Sequence, residues 1–434
     1  MKSKIVWASL LVLFTMILTG ILIQDATAFP TFAKKYETSC STCHYAFPKL
    51  NAFGKAFENN GLRYPGGDAE FSKDEPVSLG SEGQKRVFPN AIWPGDIPGM
   101  SPLSFRLISR VNGSTTPEGK DVVNTSFEFP HELELFYAGT LGDSFAFAGE
   151  VELEHAAELG YGFRLQYRYK PFLQLKVGNV DATPIADGHR LTKAHYNYVD
   201  YKVSGAAGET RWRKVAGSGF EVFGAGNGPN NKGGFTYKVG MINGQNDDDN
   251  FDINDAKDLY GRVTYKVAGL GEIGGTEGQA SETSGFYLDD SARIGGYAYI
   301  GSSTFSKDDK SFDNDFTIFG GDIDVWFSRL NLYGTYLIRK DNDPTGDGKT
   351  ENNSAAAMAE LDGVVYPWLV GLVRFEWTDP NTDDDKDPVT SLIPGVLVMI
   401  RANLKAFLEA QYFLDEGTRN KKGTSFTAQL DFGF

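Results

Sequence analysis

The chain has 434 residues, with 50 glycines, 13% aromatic side chains and a formal net charge of −15. An acidic balance without a basic patch excludes the electrostatic footprint of a nucleic-acid-binding protein, and no P-loop or dinucleotide fingerprint is present. Gly, Tyr and Phe spread through a polar chain of this length favour many strands over helices.

Residues 1–28 have the pattern of a signal peptide. Basic Met1–Lys4 precedes an almost wholly apolar run, Ile5–Ile23, and Ala26-Thr27-Ala28 is an A-x-A cleavage site. The apolar run is also long enough to be an uncleaved membrane anchor. We expect cleavage before Phe29 and no transmembrane helix in the mature chain.

Cys40-Ser41-Thr42-Cys43-His44 contains the only two cysteines of the chain. Two thiols at this spacing followed by an imidazole are what covalent attachment of one c-type haem requires, with His44 as proximal ligand of the iron. A redox Cys-x-x-Cys or half of a zinc site are the alternatives. A zinc site would need further Cys or His nearby, and a thioredoxin-like motif would need a βαβ pattern.

The residues after the motif predict a short helix. Phe47, Leu50, Phe53 and Phe57 recur at helical spacing, and Asn60-Gly61 supplies a stop. These side chains would cover a porphyrin face or pack as a small core. We therefore expect a small α-helical c-type haem domain at residues 29–65, and a linker or lumen segment at residues 66–102.

From residue 103 to residue 434, apolar and polar side chains alternate. In Phe163–Lys170 and in Phe426–Phe434, every second residue is apolar and the residues between are polar. Segments of about ten residues with this pattern are typical of transmembrane β-barrels. The strands of a soluble β-sandwich also alternate between apolar and polar residues. The lengths of the connections between strands distinguish a sandwich from a barrel.

Tight turns alternate with long polar loops along this region. Short turns are predicted at 142–143, 170–171, 328–329, 366–367 and 401–402, and the glycine-rich residues 269–278 are predicted to form a turn between strands. Long loops are predicted at 113–124, 181–211, 243–255, 302–314, 340–353 and 379–388. Short turns at one end and long loops at the other favour an antiparallel outer-membrane barrel of about sixteen strands.

The sixth ligand of a haem iron has several candidates. Met100 lies at a distance along the chain that suits a His/Met cytochrome, in which Met raises the reduction potential. Met100 could instead simply begin the first strand. His189 and His195 lie in a long loop that could fold inward, and an open sixth position is also consistent with the sequence.

Charged residues of the barrel region suggest two further features. Acidic clusters fall in the predicted outer loops, and their carboxylates would attract cations or simply be solvated. Inside the barrel, glutamates of 132–154 would face arginines such as Arg106 and Arg164. They would form either a field across a pore or ordinary cross-strand pairs.

The N-terminal segment resembles fused monohaem cytochrome–porins. The similarity lies in Phe32-Ala33-Lys34, Cys40–His44, Phe47–Leu50, Phe53-Gly54 with Phe57, and Asn60-Gly61. This family includes outer-membrane Fe(II) oxidases of iron-oxidising bacteria, and the resemblance covers residues 29–65 only. It implies one covalent haem c, extracellular Fe(II) as electron donor and a periplasmic c-type cytochrome as acceptor.

We therefore expect an outer-membrane electron-transfer protein whose leading activity is Fe(II) oxidation. Its barrel would contact outer-membrane lipid. One-electron oxidation of iron needs no acid–base machinery, so no catalytic side chain is singled out. The haem would sit at the periplasmic end or inside the barrel lumen. The alternatives are a diffusion porin with a haem-bearing plug or gate, and outward electron transfer to extracellular acceptors.

Overall fold

The computed structural model describes residues 31–78, 80–90, 96–115, 122–154, 159–182, 216–244, 254–275, 288–307, 310–383, 388–414 and 423–434. The expected signal peptide lies outside these ranges, as do His189 and His195. Within them, we find no helix with the length and apolar character needed to cross a membrane.

Sixteen antiparallel strands form a closed barrel. They are β5 (Leu103–Thr115), β6 (Val122–Leu141), β7 (Phe145–Glu154), β8 (Leu159–Lys170), β9 (Leu173–Asp181), β10 (Ala216–Asn227), β11 (Lys232–Asn243), β12 (Lys257–Leu270), β13 (Ser291–Lys307), β14 (Lys310–Phe327), β15 (Leu330–Asp341), β16 (Asn352–Tyr366), β17 (Leu369–Asp379), β18 (Val389–Arg401), β19 (Leu404–Phe413) and β20 (Ser425–Gly433). Each strand pairs with the next, and β20 closes on β5 with Gln429 opposite Arg110. The predicted antiparallel barrel and its strand number are confirmed.

The two faces of the barrel wall differ in polarity, as the alternation predicts. In β16, Glu360 and Asp362 point inward and are fully buried, whereas Leu361 between them is 48% exposed on the outside. In β20, Gln429 and Asp431 are buried on the inner face. An apolar outer surface around a polar interior is the arrangement by which β-barrels span a membrane.

The connections divide the barrel into a short-turn end and a long-loop end. Turns of two or three residues join β6 to β7, β8 to β9, β14 to β15, β16 to β17 and β18 to β19. One expectation was wrong. Residues 302–314 are mostly strand, because β13 and β14 pair as far as Lys307 opposite Lys310. The glycine-rich residues expected between two strands begin at the end of β12 and continue into the connection to β13, residues 271–290.

Residues 31–65, here called the lumen segment, lie within the barrel opening at the short-turn end. The segment contains helix α1 (Thr31–Lys35), a 3₁₀ turn (Cys40–Thr42), the small hairpin of β1 (His44–Ala46) and β2 (Lys49–Leu50), and helix α2 (Ala52–Asn59). Its polar side chains bond to inward-facing residues of the wall. The structure does not show an independent helical domain.

Residues 66–102 lead from the lumen segment to the first barrel strand. They include helix α3 (Asp68–Phe71), helix α4 (Glu82–Val87) and the paired short strands β3 (Val77–Ser78) and β4 (Asp96–Ile97). A Cβ atom built on Gly139, in an outward position of β6, would come within 3.2 Å of the Pro98 ring. Pro98 therefore lies beside the outward face of β6, shortly before the chain enters β5.

Candidate functional site

The two cysteines lie on one tight turn of the lumen segment. Ser39 begins this turn by accepting a hydrogen bond from the Ser41 N–H at 3.2 Å, and the Cys43 N–H donates to the Cys40 carbonyl at 3.2 Å. Both thiols are free. Burial raises the pKa of Cys40 to about 11 and, together with the neighbouring Cys40, the pKa of Cys43 to about 12. Both are therefore neutral thiols at physiological pH.

His44 follows the turn and opens the hairpin. Its Nδ1 atom lies 3.2 Å from the Pro48 carbonyl oxygen, so that an Nδ1–H donates to this carbonyl and Nε2 carries the lone pair. Burial lowers the pKa of His44 to about 4, which keeps the imidazole neutral. A neutral ring whose other nitrogen donates to a backbone carbonyl is the state in which histidine binds metals. The residues present thus fit a proximal haem ligand.

Asn51 connects the cysteine turn to helix α2 through hydrogen bonds. Its Nδ2 donates to the carbonyls of Thr42 at 3.0 Å and Ser41 at 3.3 Å, and its backbone N–H donates to the Cys43 carbonyl at 2.9 Å. Its Oδ1 accepts from the Gly54 N–H at 2.9 Å and caps helix α2. One buried side chain therefore fixes both the motif and the helix that follows it.

Gly54 lets helix α2 approach the motif closely. A Cβ atom at this position would lie 2.1 Å from the Cys43 carbonyl oxygen, a backbone atom that cannot turn aside. Only a residue without Cβ fits here unless the turn or the helix shifts. Gly54 is part of the sequence pattern of the family resemblance, but that pattern gives no sign of this contact.

The hairpin that carries His44 is bound to the barrel wall. Lys49 Nζ donates to Asp362 Oδ2 at 2.6 Å and to Asn331 Oδ1 at 2.5 Å, and the Tyr45 hydroxyl donates to the same Asp362 atom at 2.9 Å. From the other side, Lys405 Nζ donates to the Phe47 carbonyl at 2.9 Å. Burial lowers the pKa of Lys49, but the surrounding carboxylates outweigh it and raise the pKa above its ordinary value.

Helix α2 and the residues after it have their own wall contacts. Lys55 Nζ lies 2.9 Å from Asp324 Oδ2, and Asn59 donates to the Glu272 carboxylate at 3.1 Å. Arg63 donates to the carbonyls of Gly142 and Phe145 at 2.9 and 2.7 Å. These partners lie near strand ends on several sides of the opening, so the segment is fixed across the short-turn end.

The four apolar residues expected to cover a porphyrin do not form one surface. Phe57 and Phe53 belong to a ring cluster, in which Phe57 lies 5.1 Å from Phe32 and Phe53 lies 4.9 Å from Tyr64. Phe47 instead lies under Lys405, with 4.6 Å between Nζ and the ring centroid. Leu50 lines a small cavity together with Trp326 of the wall. The helical spacing predicted a single face, whereas the helix begins only at Ala52.

Met100 lies outside the lumen segment. Its backbone N–H donates to Asp74 Oδ1 at 2.8 Å, two residues after Pro98 on the outer wall. His44, in contrast, lies in the lumen segment, on the hairpin that Lys405 contacts at Phe47. Distal ligation by Met100 stays a prediction, and the alternatives His189 and His195 lie outside the described residues.

The acidic residues at the long-loop end have local partners where the structure describes them. Asp341 was expected in an outer loop but is the fully buried last residue of β15, bound to Arg339 at 2.7 Å. Asp343 accepts the backbone N–H groups of Asp347 and Gly348. The acidic runs 247–249, 308–309 and 384–385 lie outside the described residues.

Charged residues of β5, β6 and β7 meet inside the barrel as predicted. Arg106 lies 2.5 Å from Glu134, across the pair of β5 and β6. The carboxylates of Glu132, Glu134 and Glu152 lie within 4.8 Å of one another, and no other such acidic group was found in the described ranges. The Arg106 contact is an ordinary cross-strand pair.

The comparisons with known proteins concern the barrel. No protein-family model and no curated protein matches this sequence. Among solved structures, a loop-deletion variant of OmpT from Vibrio cholerae is 13% identical, with a TM-score of 0.48 over 77% of this chain and 99% of its own. An anion-selective porin from Comamonas acidovorans is 11% identical, with a TM-score of 0.49 over 76% and 98%. OmpF of Salmonella typhi is 10% identical, with a TM-score of 0.47 over 76% and 97%. Their similarity to this chain is one of barrel architecture.

Proposed function

We propose that this chain is an outer-membrane electron-transfer protein that oxidises extracellular Fe(II) through a single haem c. The haem would be attached to Cys40 and Cys43, with His44 as proximal ligand. The electron would pass to a periplasmic acceptor such as a c-type cytochrome. The outer membrane is the membrane in which bacterial β-barrels of this kind reside.

One observation carries the proposal. The only Cys-x-x-Cys-His sequence of the chain lies on a segment that is bonded to the inner wall of a membrane-type barrel. A haem-binding motif inside a barrel opening is not expected of a soluble electron carrier. A redox group inside the opening of a barrel offers electrons a route through a membrane, because the lumen is shielded from lipid.

The side chains would divide the work simply. The two thiols would hold the haem covalently and the neutral imidazole of His44 would bind its iron, while Asn51 keeps the cysteine turn and helix α2 together. A bound haem accepts and releases one electron at a time. Each Fe(II) ion that loses one electron becomes Fe(III), and the periplasmic acceptor gains that electron, so no proton transfer or acid–base group is needed.

The decisive experiment is done on whole cells that express the protein. Fe(II) is added from outside and the haem absorbance is followed, with a Cys40→Ser, Cys43→Ser variant as the control that cannot attach haem. We expect reduction of the haem in the parent and no haem signal in the variant. Haem that stays oxidised while folded protein is at the cell surface would refute iron oxidation.

A diffusion porin with a haem-bearing plug is the second candidate. The sixteen-stranded barrel favours it, since barrels of 16–18 strands are wide enough for an aqueous channel. Single-channel conductance in planar bilayers separates the two functions. A sealed lumen excludes the porin, and steady conductance without Fe(II)-dependent reduction excludes the oxidase.

Outward electron transfer to an extracellular acceptor is the third candidate, and it would use the same residues in the opposite direction. It is tested by adding an extracellular electron acceptor to pre-reduced protein.

A further inference from the structure

We propose that the barrel wall acts as the outer support of the haem ligand, with Asp362 and Lys405 as positioning residues for His44. This inference rests on the proposed haem attachment. It adds that the ligand geometry is set by barrel strands more than 300 positions further along the chain, and not by the lumen segment alone.

Asp362 binds a neighbour of His44 and a neighbour of Pro48. Tyr45 is the residue next to His44, and Lys49 is the residue next to Pro48, whose carbonyl meets His44 Nδ1. Both side chains bond to the same Asp362 oxygen, at 2.9 and 2.6 Å. One carboxylate therefore ties together the two backbone positions that determine the orientation of the imidazole.

Lys405 holds the turn of the hairpin from another strand. It donates to the Phe47 carbonyl at 2.9 Å and is itself bound to Asp431 at 2.9 Å. Phe47 directly precedes Pro48, so β16 and β19 fix the hairpin at two sites. Losing one of these partners is costly, because the Lys49 and Asp362 side chains are only 2% and 0% exposed and water cannot replace the lost hydrogen bond.

Loss of the Asp362 charge should loosen the hairpin. Glu360 lies 3.7 Å from Lys49, too far for a hydrogen bond, and is already paired with Arg374 at 3.2 Å. The Pro48 carbonyl then holds His44 Nδ1–H less firmly. A weaker bond to the outer nitrogen makes the histidine a poorer electron donor to its metal, which favours ferrous over ferric iron.

The test compares three full-length variants with the parent. Asp362→Asn removes the charge, and Tyr45→Phe removes only the hydroxyl while the ring keeps its packing on Trp326 at 5.0 Å. Glu272→Gln is the matched control, because Glu272 is another buried carboxylate that binds the lumen segment, at Asn59 of helix α2 and not at Tyr45 or Lys49. Heat-modifiable migration in gels reports barrel folding, and in-gel haem staining reports covalent attachment.

The readouts are the midpoint potential and the electron paramagnetic resonance spectrum of the ferric haem. For Asp362→Asn we expect about a tenfold shift toward the ferrous form, about 59 mV for one electron, with a changed ferric spectrum. The midpoint potential of Tyr45→Phe should shift in the same direction by less, and that of Glu272→Gln should match the parent.

Unchanged values in both hairpin variants, or equal shifts in the control, would overturn the inference. If Asp362→Asn does not fold, Tyr45→Phe alone decides. Failure of the proposed function looks different, because the parent itself would then carry no haem or show no reduction by Fe(II).

Discussion

The Lys49 Nζ atom lies 2.6 Å from the Asp362 Oδ2 atom, although 313 positions separate the two residues. Both side chains are almost wholly buried between the lumen segment and the wall. Breaking a buried pair by removing one partner costs more than losing an exposed pair, since the remaining charge has no water to solvate it. The lumen segment therefore depends on the barrel for its conformation.

The first prediction concerns Asn51. Asn51→Ala should destabilise the segment by about 1 kcal/mol for the lost helix cap and about 1 kcal/mol for each further lost hydrogen bond. The cysteine turn then loses its support, and less haem should be attached per folded barrel, measured by haem staining against total protein. Ser81→Ala, which removes the cap of helix α4 outside the lumen, should leave haem content at the parental level. Equal haem content in both variants would contradict this role of Asn51.

A second prediction follows from the close approach at Gly54. Gly54→Ala places a methyl group 2.1 Å from the Cys43 carbonyl oxygen, so helix and turn must separate and haem attachment should fall sharply. Gly371→Ala in β17 is the control, because a Cβ atom there meets nothing within 4 Å. Haem content is again the measurement. A Gly54→Ala protein with full haem content would show that the contact is readily relieved.

The third prediction concerns transport through the lumen. The double variant Lys49→Met, Lys55→Met removes the ion pairs with Asp362 and Asp324 and should free the hairpin and helix α2 from the wall. We expect larger and noisier single-channel conductance than in the parent. As a control, Lys340→Met removes an exposed pair with Glu351 at the long-loop end and should leave conductance unchanged. Identical traces for all three proteins would mean that the segment does not limit flow.

The fourth prediction is a pH dependence at Asp68. Burial alone would raise the pKa of this carboxyl, but hydrogen bonds from Tyr36 and Lys35 outweigh it and lower the pKa below its ordinary value of 3.8. The folded form thus holds the proton less tightly than the unfolded form, and the stabilisation is complete above the unfolded pKa. It is lost as the pH falls through that value toward the lower, folded pKa.

Amide hydrogen exchange of residues 31–38, corrected for its intrinsic pH dependence, measures this effect. Protection should decrease below about pH 4, the ordinary range of an aspartate. Asp68→Asn should show low protection at every pH and no further loss in acid. A parent protein that stays equally protected down to pH 2 would argue against the role of Asp68.

The barrel was predictable from sequence because its physical rule is local. Alternation places each side chain toward lipid or lumen, and residues such as Leu361 and Asp362 follow that rule without knowledge of distant partners. The strand at residues 302–314 was predicted as a loop, since apart from Phe305 and Phe312 its side chains are polar and show no alternation. The cysteine motif was equally local, because its spacing alone suggests the chemistry.

The support of the motif was not predictable in the same way. Asp362 and Lys405 looked like two of many lumen charges, and only the closed barrel brings them to the hairpin that carries His44. Asn51 left a signal, since an asparagine directly before a helix commonly serves as its cap. The spacing of Phe47, Leu50, Phe53 and Phe57 was misread, because it ignored the hairpin that ends before helix α2.

The burial of the motif has a consequence for biogenesis. Cys40 is only 8% exposed, and its turn is covered by Asn51 and helix α2 within the barrel opening. A folded turn buried in this way leaves little room for a haem-attaching enzyme to reach the two thiols. If haem is attached as proposed, the attachment would therefore have to precede closure of the sixteen strands around the segment. A barrel that closed first would keep two unmodified thiols, so the rate of insertion into the outer membrane would decide how much of the protein matures.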